Sequence, residues 1–474
     1  MSKSITKREE DFSQWYLDVI EGADLAEHAP VRGSMTIKPY GYAIWENIHK
    51  ILDKEFKKTG VENAYFPLFI PKSFLEKEKE HVEGFSPELA VVTVAGGKEL
   101  KEPLVVRPTS ETIIYEAYSR WIKSHRDLPL LINQWANAVR WEMRPRLFIR
   151  TTEFLWQEGH TAHATSEQAE SRTKMMIDIY KKFSEEYLAI PVIDGAKSES
   201  EKFAGALRTY CIEAMMQDGK ALQFATSHNL GQNFAKPFDV KFLDEKGESQ
   251  YVWQTSWGIT TRSIGGIIMT HSDDKGLVLP PKIAPVQAVI MTLYSGKDDD
   301  KVNKKANEIF ETLETAGVRV KIDDRDKRLG EKSFEWEKKG APIRIELGPK
   351  DIANNTAVLV TRHNSKKENI DIEELSDKIT KMLEEIQKHL FDKALKYREE
   401  KTKTVANWED FKKAIENNYF VMAHWNGKAE TEEKIKQETK ATIRCIPFKE
   451  NKEAGKCVYS KESSGCRVLF AKAY

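Results

Sequence analysis

The most informative stretch of the sequence is VRWEMRPRLFIRTTEFLWQEGH, which combines arginines, acids and aromatic rings. Alternation with a period of two places Arg140 and Glu142 on one face of a predicted strand. After a turn, Arg150, Phe154 and Trp156 share one face of the returning strand. Guanidinium groups bind phosphate oxygens, a ring stacks on a base, and an acid accepts from an amino group or holds Mg²⁺. The hairpin therefore indicates a nucleotide polyphosphate site; the alternative is an exposed hairpin with ion pairs worth about 0–1 kcal/mol each.

Two further stretches carry polar groups in a suggestive pattern. LQFATSHNLGQNF places Gln223, Thr226 and His228 on one face of a predicted strand, whereas a purely structural strand would keep one face apolar. WGITTRSIGG places Arg262 just before a glycine pair and an apolar run that could also be a buried helix, and small residues allow a neighbour or ligand to approach closely. Each stretch is weak by itself, because a lone histidine is more often an ordinary partly buried residue and a glycine pair beside an arginine is common in loops.

Composition limits the class of protein. The 474 residues, 40% of them hydrophobic and 31% charged, suit about three globular domains. The 74 Lys and Arg balance the 74 Asp and Glu, so any RNA contact must come from local patches rather than a global positive field. The four cysteines do not form a disulfide framework, and no stretch approaches the ~20 apolar residues of a membrane span. These features predict a cytoplasmic enzyme.

The order of helical and β-rich runs along the sequence predicts three domains. Residues 1–283 mix helical runs with short β-rich runs such as ELAVVTVAG, GKALQFATSH and IGGIIMTHS, which predicts an α+β domain with an antiparallel sheet. The prolines of LPPKIAP suit a boundary, and residues 284–390 open as a βαβ unit, which predicts a small α/β domain. A helical stretch rich in Lys and Glu then leads into residues 391–474, predicted to form a small α+β C-terminal domain.

Together the motifs resemble the class II aminoacyl-tRNA synthetases. The hairpin with Arg140 and Arg150 is similar to motif 2 of that class, the run to Arg262 to motif 3, and the helix over 41–59 with VENAYFPLFIP to the dimer-forming motif 1. RPTSET, ATSHNLGQNF and LVLPPKIAP resemble the prolyl-tRNA synthetases, specifically their archaeal/eukaryotic-like form, over about residues 12–474. The resemblance implies activation of L-proline by ATP with Mg²⁺, release of pyrophosphate, transfer of prolyl to tRNA(Pro), and a homodimer in the cytoplasm.

The resemblance also assigns roles to individual positions. Thr109 and Glu111 match the positions that take the cationic amine of proline, and Arg140 matches the one that faces its carboxylate and the α-phosphate. The positions that match the wall around the proline ring are Trp156, His160, Phe203 and His228. The positions that match ligands of ATP or its magnesium are Arg140, Glu142, Arg150, Thr151, Phe154, Gln223, Thr226 and Arg262. Arg140 and Arg262 are expected to neutralise charge at the phosphorus centre, without a protein nucleophile.

The middle domain, with FEWEKKGAPIRIELGPKDI, resembles the anticodon-binding domain of that family. Arg344, Glu346 and Lys350 lie where the guanine edges of a proline anticodon would be read. The alternative for the RIEL run is a core strand with alternating ion pairs.

The C-terminal domain departs from the family at the positions of its zinc ligands. Many relatives carry four such ligands, but here Asn426 and Thr431 replace cysteines, Tyr459 stands at the fourth position, and Cys457 is kept. Because structural zinc needs four soft or borderline ligands, the sequence predicts that no zinc is bound. The ending LFAKAY matches the family ending, whose last residue, here Tyr474, points back towards the active site in relatives. No room remains between motifs 2 and 3 for the editing domain of typical bacterial relatives.

Three other interpretations of the sequence compete with a proline-specific synthetase. The first is a synthetase-like regulator that binds proline or ATP without charging tRNA, and the second is an RNA-binding or assembly protein with a vestigial site. The full set of site residues together with an anticodon-type domain disfavours the first, and the neutral net charge with the intact phosphate-binding arginines disfavours the second. The third is a sister class II ligase, such as a threonyl or glycyl enzyme; the TSE loop together with Trp156 and His228 favours proline.

Overall fold

The computed structural model describes residues 4–77, 89–294, 296, 299–449 and 453–474. The elements of the first part of the chain are α1 (Phe12–Gly22), β1 (Ala26–His28), β2 (Met35–Ile37), α2 (Pro39–Lys57), β3 (Glu62–Asn63), β4 (Phe69–Pro71), α3 (Lys72–Leu75), β5 (Ala90–Ala95), β6 (Lys98–Val106), α4 (Glu111–Trp121), a 3₁₀ turn (His125–Asp127), β7 (Leu130–Val139), β8 (Glu153–His163), α5 (Ser166–Glu186), β9 (Val192–Ala196), β10 (Arg208–Met215), β11 (Ala221–Gly231), β12 (Lys241–Leu243), β13 (Ser249–Tyr251), β14 (Trp253–Thr260) and α6 (Arg262–His271).

The centre of this part is an antiparallel sheet in the order β9-β10-β11-β14-β8-β7, with the short β3 parallel to β7 at its edge. Helix α5 packs against the sheet with an apolar stripe that includes Met176, Ile177 and Tyr180. Alternation along β8 turns Trp156, Glu158 and His160 away from α5, towards an open cavity. The predicted antiparallel α+β architecture is thus confirmed.

Glycine is required where the sheet is most crowded. A Cβ at Gly159 on β8 would lie 2.0 Å from the indole of Trp257 on the neighbouring β14. The bare backbone at this position lets the indole lie across β8. Trp257 is itself 1% exposed, so it fills the core beneath the cavity.

All of the run IGGIIMTHS except its last residue, Ser272, lies in helix α6, so its interpretation as a strand was wrong and the alternative of a buried helix was right. The two glycines explain why a helix fits here. A Cβ at Gly265 would lie 2.3 Å from Ile149 Cδ1, and one at Gly266 would lie 2.1 Å from Phe224 Cζ. Period alone cannot separate a short apolar strand from a buried helix, because both bury all their faces.

The middle part of the chain forms a mixed α/β unit, as expected. Its elements are β15 (Ala288–Thr292), α7 (Asp299–Thr315), β16 (Val320–Asp323), α8 (Leu329–Lys339), β17 (Ile343–Leu347), α9 (Pro349–Ala353), β18 (Thr356–Thr361), β19 (Lys367–Asp371), a 3₁₀ turn (Ile372–Glu374) and α10 (Leu375–Glu400). The five strands have the order β16-β15-β17-β18-β19, in which the first three are parallel and the last two are antiparallel to their neighbours. The expected boundary at residue 390 falls inside α10, so this helix leads directly into the last part.

The last part of the chain extends the central sheet. Its elements are β20 (Thr402–Thr404), α11 (Trp408–Glu416), β21 (Phe420–His424), α12 (Ala429–Thr439), β22 (Thr442–Pro447), β23 (Gly455–Lys456), β24 (Ser463–Ser464) and β25 (Arg467–Ala471). The order β20-β21-β25-β22 continues through β22 onto β9, pairing Ile446 with Ala196 and Pro447 with Gly195, so one sheet of 11 strands spans both parts. None of the helices among the described residues is both long and apolar enough to cross a membrane.

Candidate active site

One cavity of about 480 Å³ collects every residue that the sequence assigned to proline or ATP. Its walls are the open face of the central sheet, the RPTSET segment and the loop between β7 and β8. These residues are Thr109, Glu111, Arg140, Glu142, Arg150, Thr151, Phe154, Trp156, His160, Phe203, Gln223, Thr226, His228 and Arg262. The cavity is therefore assembled from segments up to about 150 positions apart in the sequence.

The loop between β7 and β8 is longer than the predicted turn. β7 ends at Val139 and β8 begins at Glu153, so Arg140 and Glu142 are not on a strand, and neither is Arg150. The hydrogen-bond ladder between β7 and β8 ends at this loop because the loop backbone bonds elsewhere. Arg140 N still donates to the Thr152 carbonyl at 2.8 Å, but Thr152 N donates to the carbonyl of Gly33. The loop still brings Arg150 Nε to 3.6 Å from Glu142 Oε2 at the mouth of the cavity.

Arg140 joins the loop to the RPTSET segment. Its Nε donates to the Pro108 carbonyl at 3.0 Å, and its guanidinium lies 5.4 Å from the ring centroid of Phe154 and 5.8 Å from that of Trp156. Stacking on aromatic faces keeps a guanidinium flat and directed without neutralising it. Arg140 is thereby held as a cation between the two halves of the cavity.

The RPTSET segment ends at the start of helix α4 with a buried acid. Thr109 Oγ1 donates to Glu111 Oε2 at 2.5 Å, and both side chains are nearly inaccessible. The preceding Arg107 is also buried, and it donates to the carbonyls of Phe66 and Asn137 and to the Asn137 side chain. This arginine fixes the segment, so the Glu111 carboxylate presents its charge to the cavity from a rigid support.

Glu158 is a buried residue of the site that sequence reasoning missed. Its Oε1 accepts from Ser110 Oγ at 2.5 Å and from Gln134 Nε2 at 2.8 Å, and its Oε2 lies 3.0 Å from His160 Nε2. Glu158 thus orients both the RPTSET segment and the His160 ring. The alternation along β8 was the available signal, since Glu158 lies between two predicted site residues of the same face. Other lining residues that were missed include Lys197, Glu201, Thr209 and Ser256.

His228 is held as a neutral ring. Thr209 Oγ1 lies 2.9 Å from its Nδ1, Thr226 Oγ1 lies 2.9 Å from its Nε2, and the Phe203 ring centroid is 4.6 Å away. Burial lowers the pKa of His228 to about 4, although the charge of Glu111 opposes this shift. Near pH 7 the imidazole therefore carries no charge, and it forms with Phe203 a wall suited to an apolar ring.

A bulge in β11 explains how Gln223 joins Thr226 on the cavity side. The register shifts between Ile212, opposite Ala225, and Glu213, opposite Gln223, so β11 contains one extra residue there. Without this residue, Gln223 and Thr226 would point to opposite faces, because side chains alternate along a strand. The sequence grouped these residues correctly, but a regular strand could not have done so.

Arg262 is the first residue of α6 and completes a positively charged part of the cavity. Its Nε donates to the Ile149 carbonyl at 3.0 Å. Burial, reinforced by the charges of Arg140 and Arg150, lowers the pKa of Arg262 to about 10, so it remains a cation near pH 7. The guanidinium groups of Arg150 and Arg262 at one cavity end, with Arg140 next to them, match a polyanion such as a triphosphate.

Comparison with known proteins gives the family. Residues 92–271 match the family model described as tRNA synthetase class II core domain (G, H, P, S and T), residues 287–382 match Anticodon binding domain, and residues 408–474 match Prolyl-tRNA synthetase, C-terminal. The chain is 57% identical to a Proline–tRNA ligase of Chloroherpeton thalassium and 56% identical to one of Chlorobium chlorochromatii, in alignments that cover 100% of each sequence. It is also 54% identical to a Proline–tRNA ligase of Porphyromonas gingivalis over 100% of the chain and 99% of the relative.

The chain belongs to the proline–tRNA ligase family. Identity above half of all positions over the full length decides this. Membership makes the chain a class II aminoacyl-tRNA synthetase and rejects the threonyl or glycyl alternative.

The anticodon-type unit of this ligase contains a buried arginine with unused donors. Arg344 and Glu346 lie on the same face of β17, and Lys350 lies in the short α9 that follows. Arg344 is 6% exposed, and its Nε and Nη1 have no hydrogen-bond partner among the described residues. Glu346 accepts from Lys367 Nζ at 3.2 Å, so one ion pair of the structural alternative is present, but it does not involve Arg344.

The C-terminal part of this ligase has a hydrogen-bond cluster at the positions of the zinc ligands. Asn426 Nδ2 donates to Thr431 Oγ1 at 3.0 Å, to Ser460 Oγ at 3.1 Å and to Glu462 Oε2 at 2.6 Å. Of these four side chains only the Glu462 carboxylate is a zinc ligand, whereas structural zinc needs four, so the donor set does not fit the metal. Among the described residues, no three His, Cys, Asp or Glu side chains converge on a possible metal position.

The chain end lies beside the loop between β7 and β8. Tyr474 OH donates to Asp218 Oδ2 at 2.6 Å, and the guanidinium of Arg146 lies 5.0 Å from the Tyr474 ring centroid. The backbone of Tyr474 donates to the carbonyl of Ala221 at the start of β11. The last residue therefore contacts the same loop that carries Arg140.

Proposed function

We propose that this ligase activates L-proline with ATP to prolyl-adenylate, releasing pyrophosphate, and then transfers prolyl to the 3′ end of tRNA(Pro). The observation that carries the proposal is the division of one cavity into two chemically different ends. One end combines the buried Glu111 carboxylate with the neutral wall of Phe203 and His228, the other carries the guanidinium groups of Arg150 and Arg262, and Arg140 lies between them. A small apolar ring with a cationic amine suits the first end, and a triphosphate suits the second.

At the amino-acid end, Glu111 and Thr109 receive the secondary ammonium of proline, and Arg140 receives its carboxylate. Trp156, His160, Phe203 and His228 form the wall around the ring. Since both the amine and the carboxylate have fixed partners, the carboxylate oxygen is directed towards the nucleotide.

At the nucleotide end, Phe154 stacks on adenine, and Arg150 and Arg262 hold the phosphates. Residues that add polar contacts to ATP are Glu142, Thr151, Gln223 and Thr226. The proline carboxylate oxygen forms a bond to the α-phosphorus while the bond from that phosphorus to the bridging oxygen breaks, and pyrophosphate leaves with the electron pair. Arg140 and Arg262 stabilise the charge on the α-phosphate oxygens in the transition state. Magnesium bound with ATP would supply further charge neutralisation there, with the Glu142 carboxylate as its protein oxygen ligand.

The test of this function is ATP–pyrophosphate exchange measured with each amino acid in turn. We expect exchange driven by proline far above any other amino acid. Absence of exchange with every amino acid would favour the regulatory interpretation instead.

Alanine is expected to be activated and not cleared. It lacks two of the carbons of the proline ring, and each missing methylene is worth only ~1–3 kcal/mol, so alanine-dependent exchange should show kcat/KM roughly 10²- to 10⁴-fold below that of proline. Residues 164–261, between motifs 2 and 3, are taken up by α5 and β9–β14 and contain no inserted domain. The measurement is alanine-driven exchange together with hydrolysis of alanyl-tRNA(Pro) by the pure protein; rapid hydrolysis would contradict the prediction.

The three residues Arg344, Glu346 and Lys350 are proposed to read the anticodon. Replacing Arg344 with methionine should raise KM for tRNA(Pro) about 10- to 100-fold, because each bidentate contact to guanine is worth ~1–3 kcal/mol. Proline-dependent pyrophosphate exchange, which needs no tRNA, should stay unchanged. Lys381→Met, an exposed lysine on α10, is the control. An unchanged KM for tRNA would show that Arg344 serves the strand alone.

No zinc is proposed to bind the C-terminal part of the chain, because Asn426 organises that cluster through hydrogen bonds. Elemental analysis of the purified protein should therefore find well below one zinc per chain, and exchange should survive a strong chelator once Mg²⁺ is restored. One tightly held zinc per chain would overturn this assignment.

The finer classification and the domain limits are also proposed. The archaeal/eukaryotic-like form is supported by the C-terminal extension and by the short connection between motifs 2 and 3. The catalytic domain is assigned to 1–283, the anticodon-binding domain to 284–390 and the C-terminal domain to 391–474. The protein is expected to act in the cytoplasm, where ATP, proline and tRNA meet; fractionation of cells that make the tagged chain checks this.

A homodimer is proposed through the region of motif 1. Large apolar side chains are exposed in this region and beside it: Tyr65 is 71% exposed and Phe69 46%, and Trp121, whose ring centroid lies 5.8 Å from that of Phe66, is 47% exposed. Clustered exposed aromatic residues are typical of surfaces that a partner covers. Sedimentation of the wild type should give a dimer, and a stable monomer at working concentrations would contradict it.

A further inference from the structure

The segment 197–203, between β9 and β10, forms one wall of the amino-acid end of the cavity. Lys197, Glu201 and Phe203 all line it. Phe203 N donates to Thr209 Oγ1 at 3.0 Å, and the same hydroxyl lies 2.9 Å from His228 Nδ1. The position of this segment therefore sets both the Phe203 ring and the orientation of the His228 ring.

The C-terminal part of the chain binds this segment through polar contacts from outside the cavity. Glu432 of α12 accepts from Ser198 Oγ at 2.8 Å through its Oε1, and both side chains are buried. On the same helix, Lys436 Nζ lies 3.8 Å from Glu201 Oε1. One helix, which contributes no side chain to the cavity lining, thus contacts the segment at two positions, Ser198 and Glu201.

A buried ion cluster fixes the beginning of the segment. Lys197 Nζ donates to Glu213 Oε1 at 2.9 Å and to the carbonyl of Arg444 at 2.8 Å. The guanidinium of Arg444 in β22 binds both oxygens of Glu213 at 3.0 to 3.2 Å. Charged groups buried this deeply stay ionised only while all partners are in place, so the cluster specifies one relative position of β22 and residue 197.

The Glu432–Ser198 contact contributes little to the stability of the fold for the desolvation free energy that it costs. Burial raises the pKa of Glu432, and desolvating a carboxyl group to accept from a neutral hydroxyl gives little net stability compared with an apolar side chain of similar size. Such a directional contact defines position instead, because a hydrogen bond fixes distance and angle where apolar packing does not.

We propose that Glu432 and Ser198 are positioning residues for proline binding, through which the C-terminal part of the chain holds the Phe203–His228 wall in place. This inference rests on the proposed proline site. It gives the C-terminal part of the chain an indirect part in amino-acid recognition. Neither residue touches the cavity, so both act through Phe203 and Thr209.

The test uses full-length variants in pyrophosphate exchange. Ser198→Ala and Glu432→Leu should each raise KM for proline roughly 5- to 20-fold, the size expected for loss of a hydrogen bond to a charged group, and leave KM for ATP within about twofold. Ser198→Thr, which keeps the hydroxyl, should recover most of the affinity. The KM for proline of the double variant should not exceed the higher of the two single-variant values, because both substitutions remove the same contact. Glu433→Leu makes the same change at the next, exposed position of α12 and should leave both KM values unchanged.

Two results would overturn the inference. One is an unchanged KM for proline in Ser198→Ala and Glu432→Leu. The other is a parallel fall of kcat and rise of both KM values that tracks a lower Tm, which is the behaviour of a contact needed only for folding. Failure of the proline site itself is distinguishable, since it would appear as a normal KM for proline in Glu111→Gln.

Discussion

Arg140→Ala is expected to lower kcat for proline-dependent pyrophosphate exchange by about 10²- to 10³-fold, the loss seen when one preorganised donor to a developing charge is removed. Arg140 is the group that joins the two ends of the cavity, through its bond to the Pro108 carbonyl and its contact with the Phe154 ring. It is therefore placed to hold the attacking carboxylate and the α-phosphate together. Arg140→Lys should recover little, because an ammonium cannot bind two groups with a planar fork.

The matched control for this prediction is Arg144→Ala. Arg144 lies in the same loop and is exposed, and it does not line the cavity. Loss of activity in both variants would indicate a general effect of positive charge in the loop. Full exchange activity in Arg140→Ala would remove Arg140 from the catalytic assignment.

Glu111→Gln is expected to raise KM for proline about 10²-fold or more, since truncating one partner of a buried charge pair costs ~2–5 kcal/mol. Glutamine keeps the shape of the side chain and can still accept from Thr109, but it leaves the proline ammonium without an anion in a buried site. KM for ATP should change little, because the nucleotide is proposed to bind at the arginine end. Steady-state exchange with proline and ATP varied separately measures both constants.

Helix α4 also supplies a control for this second prediction. Glu116 lies one turn further along the same helix and pairs with Arg120 at the surface. Glu116→Gln should behave as the wild type in both constants. An equal rise of both KM values in Glu111→Gln would mean that the carboxylate supports the fold of the cavity and not the amine.

The chemistry of the site was readable from the sequence because it depends on residue types in short, distinctive runs. RPTSET, the arginine-rich hairpin and ATSHNLGQNF each concentrate charged and aromatic groups that a structural segment would not need. All their assigned members line one cavity. Conversely, Glu158 was missed because it orients Ser110 and His160 instead of resembling a substrate ligand, although its place between Trp156 and His160 on the same face of β8 was a usable signal.

Regular periodicity failed wherever the backbone departed from an ideal strand. Arg140 and Glu142 sit in a loop because Thr152 finds its partner in Gly33, far away in the sequence. Gln223 reaches the cavity through an extra residue in β11. A bulge and an early end of a strand pair both depend on which distant residue forms a backbone hydrogen bond with the strand. Local sequence does not determine that choice of partner.

The sequence by itself determined the family and the class of reaction, and it predicted which residues meet substrate, because all three depend on chemical groups that substitution would destroy. Only the tertiary structure showed that β22 pairs with β9 to join the C-terminal part to the central sheet, and that Glu432 and Arg444 reach the segment behind the Phe203–His228 wall. The physical reason is that an edge strand accepts any partner with free backbone groups, so the pairing is decided by the packing of whole domains and not by a motif in either strand.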